Sequence, residues 1–155
     1  MKISDISTKE EIEFCINMYA KQNDFSFLNV DNKKAFDNLN LAIRRKKFVK
    51  ILKKDDEIVA WIYADNMASL HVSNKGFQQL YYCSNLSGNA AYRAVKLLHI
   101  ELLNYAIENK YELVVSPGSH LDENNIFTKI LEKLGWERRG HLAIYKTRYY
   151  NQLVR

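Results

Sequence analysis

The chain has 155 residues, 47% of them apolar and 26% charged, a balance that suits one globular domain and excludes a disordered or fibrous chain. No uninterrupted apolar run approaches the ~18 residues that a membrane-spanning helix needs, and two cysteines without CxxC spacing exclude a disulfide scaffold. The net charge of +5 favours anionic partners, but the only dense basic run, Arg44 to Lys47, falls where a helix is expected to end, so it reads as solvated charge offsetting a dipole rather than as a nucleic-acid surface.

Met1 to Ser7 lacks the basic and apolar regions of a secretory leader, so a cytoplasmic protein is expected. Lys2 to Ile6 reads as a short strand. Ser7-Thr8-Lys9-Glu10 reads as a capping box, opening a helix whose Ile12, Ile16, Tyr19 and Ala20 recur at helical spacing to about Gln22. A polar-aromatic segment, Asn23 to Val30, contains Phe25-Ser26-Phe27 and leads to a second helix from about Asn32 to Arg45. Phe48 to Leu52 and Glu57 to Ala64 flank Lys53-Lys54-Asp55-Asp56, which predicts two antiparallel strands joined by a polar turn. Asp65 to Lys75 has no clear period.

Phe77 to Ser84 is an aromatic-rich strand, and about Gly88 to Asn109 is the longest helix, with Ala91, Val95, Leu98, Leu102 and Ala106 along one face. Tyr111 to Val115 is a short apolar strand of the type buried on both faces. Asp122 to Leu134 is a helix that turns Ile126, Phe127, Ile130 and Leu134 inward and stops at a left-handed Gly135. Trp136 to Arg148 then closes the chain as a hairpin turning at Gly140. The order β-α-α-β-β-β-α-β-α-β-β implies a single α/β domain over residues 1–155, its mixed sheet covered by helices on both faces.

Two segments carry more than fold. In Tyr81-Tyr82-Cys83-Ser84-Asn85-Leu86-Ser87-Gly88-Asn89-Ala90-Ala91, small residues open a helix, where backbone amides can approach an anion and the dipole adds partial positive charge. Later, the helix beginning near Asn124 ends in Glu132-Lys133-Leu134-Gly135-Trp136. With the order of elements, these segments resemble the GNAT (GCN5-related N-acetyltransferase) superfamily. Its strand–helix junction carries Gln or Arg, two residues, Gly, one residue, then Gly or Ala; Gly88 and Ala90 match, and Asn85 replaces Gln or Arg. Its penultimate helix is matched by Asn124 and by the Glu-Lys-Leu-Gly ending, with Trp136 for Phe. The likeness spans about residues 48–148.

The resemblance implies a GNAT-like, mostly antiparallel sheet and an acyl-CoA, such as acetyl-CoA, as cosubstrate. It assigns the acyl-CoA site to Tyr82, Cys83, Ser84, Asn85, Leu86, Ser87, Gly88, Asn89, Ala90 and Ala91, with Asn124, and with Arg93 reaching a phosphate in compensation for Asn85. The implied reaction is N-acyl transfer by direct attack of an amine that the sequence does not identify. The family selects its acceptor with Asn23 to Arg45 and Asp65 to Lys75. Many members protonate the leaving thiolate with a tyrosine where this chain has Leu131, so a donor must come from elsewhere. Ser119 and His120 are the nearest candidates, because imidazole transfers protons near neutral pH.

The competing reading is a catalytically inactive GNAT-like structural or interaction protein, for instance in a virus particle or other assembly, which Leu131 and Asn85 favour. A homo-oligomer or an assembly partner fits either reading. His120, Asp122 and Glu123 lack the spacing of a zinc site, so no metal is expected. His71 and His99 read as packed or surface residues, and Cys15 and Cys83 as small buried hydrophobes rather than acyl-accepting thiols.

Overall fold

Caps and ladder register explain where each element begins and stops in the computed structural model, which describes residues 1–22, 31–67, 75–117, 126–139 and 142–149. In chain order the elements are β1 (Lys2–Ser4), α1 (Lys9–Gln22), α2 (Asn32–Arg44), β2 (Phe48–Lys54), β3 (Glu57–Asn66), β4 (Gly76–Ser84), α3 (Gly88–Glu108), β5 (Leu113–Pro117), α4 (Ile126–Lys133), β6 (Glu137–Arg139) and β7 (Leu142–Lys146), followed by one 3-10 turn at Thr147–Tyr149. This is the order the sequence predicts. The segment expected from Asn23 to Val30, residues 68–74, the start of the last helix and Gly140 lie outside the described residues.

The first helix corrects one expectation. Its cap is Thr8, not Ser7: Thr8 Oγ1 accepts from the Glu11 amide at 3.1 Å, and the Glu11 carboxylate returns to the amides of Ser7 (2.7 Å) and Thr8 (3.3 Å). The reciprocal pair is therefore Thr8 and Glu11, one residue later than read, because the helix itself starts at Lys9. Glu11 Oε1 also accepts from Lys53 Nζ at 2.5 Å, which ties α1 to β2. Burial alone would raise this carboxyl, but Lys53, Ser7 and Thr8 outweigh it and hold the pKa near 2.

Asp31 caps α2, its side chain accepting from the Lys34 amide at 2.9 Å. The basic run ends that helix as expected: Arg44, Arg45 and Lys46 are exposed, and Lys46 turns the chain at φ 55°. Lys47 pairs with Asp65 at 2.8 Å. Between β2 and β3, Asp55 and Asp56 both take positive φ (52° and 65°), as a two-residue hairpin requires. At the end of α4, Gly135 adopts φ 89° and the Trp136 amide donates to the Leu131 carbonyl at 3.1 Å, so the Glu-Lys-Leu-Gly ending is a left-handed helix stop with Leu134 and Trp136 driven into the core.

The seven strands form one sheet in the order β1-β2-β3-β4-β5-β7-β6, antiparallel at every pairing except β4 with β5, which is parallel. One apolar cluster lies between the sheet and α3 and α4, around Leu98, Leu102, Val114 and Tyr145. The other lies under α1 and α2, around Cys15, Ile51, Trp61 and Cys83. Helices thus cover both faces, as expected, and both cysteines are packed. The buried face of α3 is wider than its predicted stripe, because Ala94, His99 and Leu103 are also inside. No helix among the described residues is long and apolar enough to cross a membrane.

Candidate functional site

Two β-bulges shape the centre of the sheet. The register of β2 with β3 shifts after Leu52, and Val59 is the extra residue; the register of β3 with β4 shifts after Tyr63, and Leu80 is the extra residue. Each bulge reverses which face the side chains enter. In β4, Phe77 and Gln79 face α3, then Leu80 and Tyr81 both face α1 and α2, then Tyr82 returns to the α3 side and Cys83 lies under α1.

Beside the second bulge the parallel pair ends. β4 and β5 are in register only at Gly76–Leu113, Phe77–Val114 and Gln78–Val115, whereas β4 runs on to Ser84 and β5 to Pro117. The two central strands therefore part beyond Gln78 and Val115. A buried polar group marks the point of parting. Ser116 Oγ lies 3.2 Å from Gln79 Oε1, and His99 Nε2 lies 2.7 Å from the same atom position. His99 Nδ1 is 2.8 Å from the Val95 carbonyl. Burial pushes this imidazole down to about 4, only partly countered by the Val95 bond, so it is neutral near pH 7. A neutral ring that donates from Nδ1 must accept at Nε2, so the Gln79 amide presents its NH2 to His99 and Ser116.

At the far end of β4 the chain enters α3. The bulged Val59 carbonyl accepts from the Asn85 amide (3.1 Å) and from Ser84 Oγ (3.3 Å), and Ser84 Oγ in turn accepts from the Leu86 amide (3.2 Å). Cys83 and Ser84 belong to the ladder with β3. Of the stretch expected to bind an anion, these amides are therefore engaged or in the sheet, and Ala91 already donates to the Ser87 carbonyl. The amides of Ser87, Gly88, Asn89 and Ala90 have no hydrogen-bond partner among the described residues. Ser87 occupies the N-cap without a side-chain cap bond, and no acidic residue stands in the first turn. Gly88 has φ +55°, and a Cβ added there would meet nothing within 4 Å. Arg93, one turn on, is exposed. Free amides, open space and a nearby guanidinium fit the phosphates of a CoA.

Ser119, His120 and Asn124 lie outside the described residues, as do His71, Asp122 and Glu123. Leu131 is 1% exposed in the α3/α4 core and carries no proton to give. Burial pushes the Cys83 thiol up to about 12 and the Cys15 thiol likewise to about 12, so neither is a nucleophile. Among the described residues no group of three or more His, Cys, Asp or Glu side chains gathers.

Tyr82 is more informative than its place in the sequence suggested. Its ring packs 5.4 Å from His99 and 5.1 Å from Phe127 on α4, and its buried hydroxyl has no hydrogen-bond partner among the described residues. Burial drives its pKa well above the ordinary value, and the neighbouring Ser84 side chain acts in the opposite direction. An unsatisfied buried hydroxyl costs stability. Tyr82→Phe is accordingly expected to raise stability by about 1 kcal/mol in urea denaturation; a loss would mean that the hydroxyl is paired.

On the opposite face, a cavity of about 530 Å³ opens between α1, α2 and strands β3 and β4, and Leu80 forms part of its wall. Sequence reasoning missed this cavity and the Gln79 group. The available signals were a lone glutamine facing the long helix within an aromatic strand, and a histidine on that helix's apolar face.

No family model matches the chain, and no curated relative does. Solved structures do match. An N-acetyltransferase from Staphylococcus aureus Mu50 superposes with a TM-score of 0.74 at 11% identity, covering 95% of this chain and 99% of that one. The yncA protein of Salmonella typhimurium, solved with its cofactor acetyl-CoA, superposes at 0.68 with 12% identity over 94% and 93% of the two chains. A GNAT family protein from Desulfovibrio desulfuricans superposes at 0.70 with 6% identity over 94% and 98%. With element order, sheet topology and full-length superposition in agreement, the chain has the fold of the GNAT acetyltransferases.

Proposed function

We propose that the chain is an acyl-CoA-dependent N-acyltransferase that passes an acyl group directly to an amine. One observation carries this reading: the parallel pair β4/β5 stops after three registered residues, and beyond it stands a helix N-terminus with no side-chain cap bond, four of whose amides have no partner among the described residues. The amides of Ser87 to Ala90, with Arg93, would hold the pyrophosphate, and the gap between the strands would take the pantetheine. Acyl-CoA supplies the thioester carbonyl and the thiolate that leaves. Leu80, which the bulge leaves outside the ladder with β3, is assigned as the backbone amide facing that carbonyl oxygen.

The cavity on the α1/α2 face admits the amine, so acceptor and cosubstrate reach the gap from opposite faces of the sheet. The neutral acceptor amine forms the new amide bond as the C–S bond breaks and gives up its surplus proton to water, with no covalent enzyme intermediate, and catalysis rests mainly on positioning. Because Leu131 cannot protonate the sulfur, that step is assigned to His120, with Ser119 beside it in sequence.

The test is acetyl-CoA turnover with a panel of amines, alongside acetyl-CoA binding by calorimetry. Wild-type protein is expected to bind and turn over; His120→Ala is expected to bind acetyl-CoA and stay folded but lose turnover. Absence of acetyl-CoA binding would leave the inactive, GNAT-like interaction protein as the better reading, and undiminished turnover in His120→Ala would remove that residue from the mechanism.

A further inference from the structure

The wall that the sheet contributes to the 530 Å³ cavity is made of rings. Trp61, Tyr63 and Tyr81 stand in a near-parallel row: Tyr63 and Tyr81 have centroids 6.0 Å apart at 4°, and Trp61 and Tyr81 are 6.1 Å apart at 17°. Tyr19 comes from α1 and meets Tyr81 edge-on at 5.0 Å and 81°. The row follows from strand register, because Tyr63 pairs directly with Tyr81 and Trp61 lies two residues along β3 on the same face.

This wall is apolar, buried at its Trp61 end (3% exposed) and open at its Leu80 and Tyr81 end. Leu80 and Tyr81, made neighbours on one face by the bulge, are 40% and 39% exposed. Among the described residues, the cavity's charged side chains are one carboxylate, Asp31, and one ammonium, Lys34. Asp31 already caps α2 through the Lys34 amide. A polycationic acceptor would need several carboxylates to replace its hydration, and the described part of this wall offers one. A flat aromatic body, by contrast, finds a parallel row to lie against and a perpendicular ring to meet at its edge, the two arrangements aromatic rings prefer. Leu80 links this wall to the strand gap, so an amine tethered to such a body by a short chain can reach the place of acyl transfer.

Resting on the acyltransferase reading for its catalytic part, the geometry points to a monoamine with an aromatic body, an arylalkylamine, as the acceptor held by Tyr19, Trp61, Tyr63 and Tyr81.

Binding can be read without catalysis. Trp61 lies in the wall and Trp136 on the other face, so a Trp136→Phe background leaves Trp61 as the fluorescent reporter. Phenethylamine is expected to change that fluorescence saturably, with or without acetyl-CoA. The dissociation constant should rise at least about tenfold in Tyr81→Ala, which removes the centre of the row, and in Ala35→Phe, which fills the cavity from α2 and leaves the row intact. Spermidine at the same concentrations should give no saturable change. No saturable response to phenethylamine, equal binding of spermidine, or indifference to both variants would overturn the inference. If acetyl-CoA binds and spermidine is acetylated while phenethylamine is not, the acceptor class is wrong and the acyltransferase reading stands. If phenethylamine binds as described and acetyl-CoA does not, the pocket stands and the acyltransferase reading falls.

Discussion

Acidification from pH 7 to pH 4 is expected to remove ~3 kcal/mol of stability through His99 alone, measured as a falling urea midpoint. The imidazole is fully buried, and its folded pKa of about 4 lies well below the ordinary histidine value of 6.5. Above about pH 6.5 the ring is neutral in both folded and unfolded chains, and its contribution is complete. Between there and about pH 4 only the unfolded chain takes up the proton, so stability declines by roughly 1.4 kcal/mol per pH unit. Below that both states are protonated and the decline ends. Glu11 acts in a separate, lower window: its depressed carboxyl contributes fully above about 4.5 and loses that contribution as pH falls toward 2.

His99→Gln keeps a polar side chain near Gln79 without a titrating group, so its profile between pH 6.5 and 4.5 should be flatter. A wild-type midpoint that does not move over that interval would mean that water or a counter-charge reaches the ring. Since Gln79 joins His99 on α3 to Ser116 on β5, the same protonation acts on the point where the central strands part.

The elements that the sequence reveals are those whose signals are local. Gly135 stops α4 because only a residue tolerant of positive φ ends a helix that way, and the pattern around it is visible in five consecutive letters. Element order follows likewise from periodicity and turns. The capping box lies one residue beyond the one the sequence predicts, since Ser7-x-x-Glu10 and Thr8-x-x-Glu11 both fit the pattern, and the helix start at Lys9 together with the tie of Glu11 to Lys53 on β2 selects the second. The site was less legible because its shape comes from two register shifts. Nothing near Val59 or Leu80 in the chain announces a bulge; each is defined by the neighbouring strand. Without the shift at Leu80, Tyr81 would share the face of Phe77 and Gln79, and the aromatic wall would not form. Which amides near the start of α3 are engaged is hidden in the chain for a related reason: Asn85 and Leu86 look as free as Ser87 and Gly88 until the Val59 carbonyl and Ser84 hydroxyl take their amides.

Gly88→Asp should separate that helix mouth from the fold it belongs to. Gly88 sits at φ +55°, and beyond its chain neighbours and its own helix backbone no described atom lies within 4 Å of where a Cβ would point. A side chain there meets no steric conflict and pays only the left-handed backbone, about 1–2 kcal/mol for most residues and least for Asp and Asn. A carboxylate at the start of α3 recovers about 0.3–1 kcal/mol from the dipole and can accept from the free amides behind it. Stability should therefore change by no more than ~1 kcal/mol. Binding should not survive as easily. A unit negative charge roughly 5 Å from a phosphate, at an effective dielectric near 20, opposes it by roughly 3 kcal/mol, which is about 100-fold in the dissociation constant for acetyl-CoA. The same carboxylate also competes for the amides of Ser87 to Ala90, so electrostatics and hydrogen bonding act in one direction. Gly88→Ala adds the backbone strain without the charge and should weaken binding far less. Raising the salt concentration should narrow the gap between the two variants, since the charged component is screened near the surface. An unchanged affinity in Gly88→Asp would place the phosphates somewhere other than the mouth of α3, and the parting of β4 from β5 would then need another occupant.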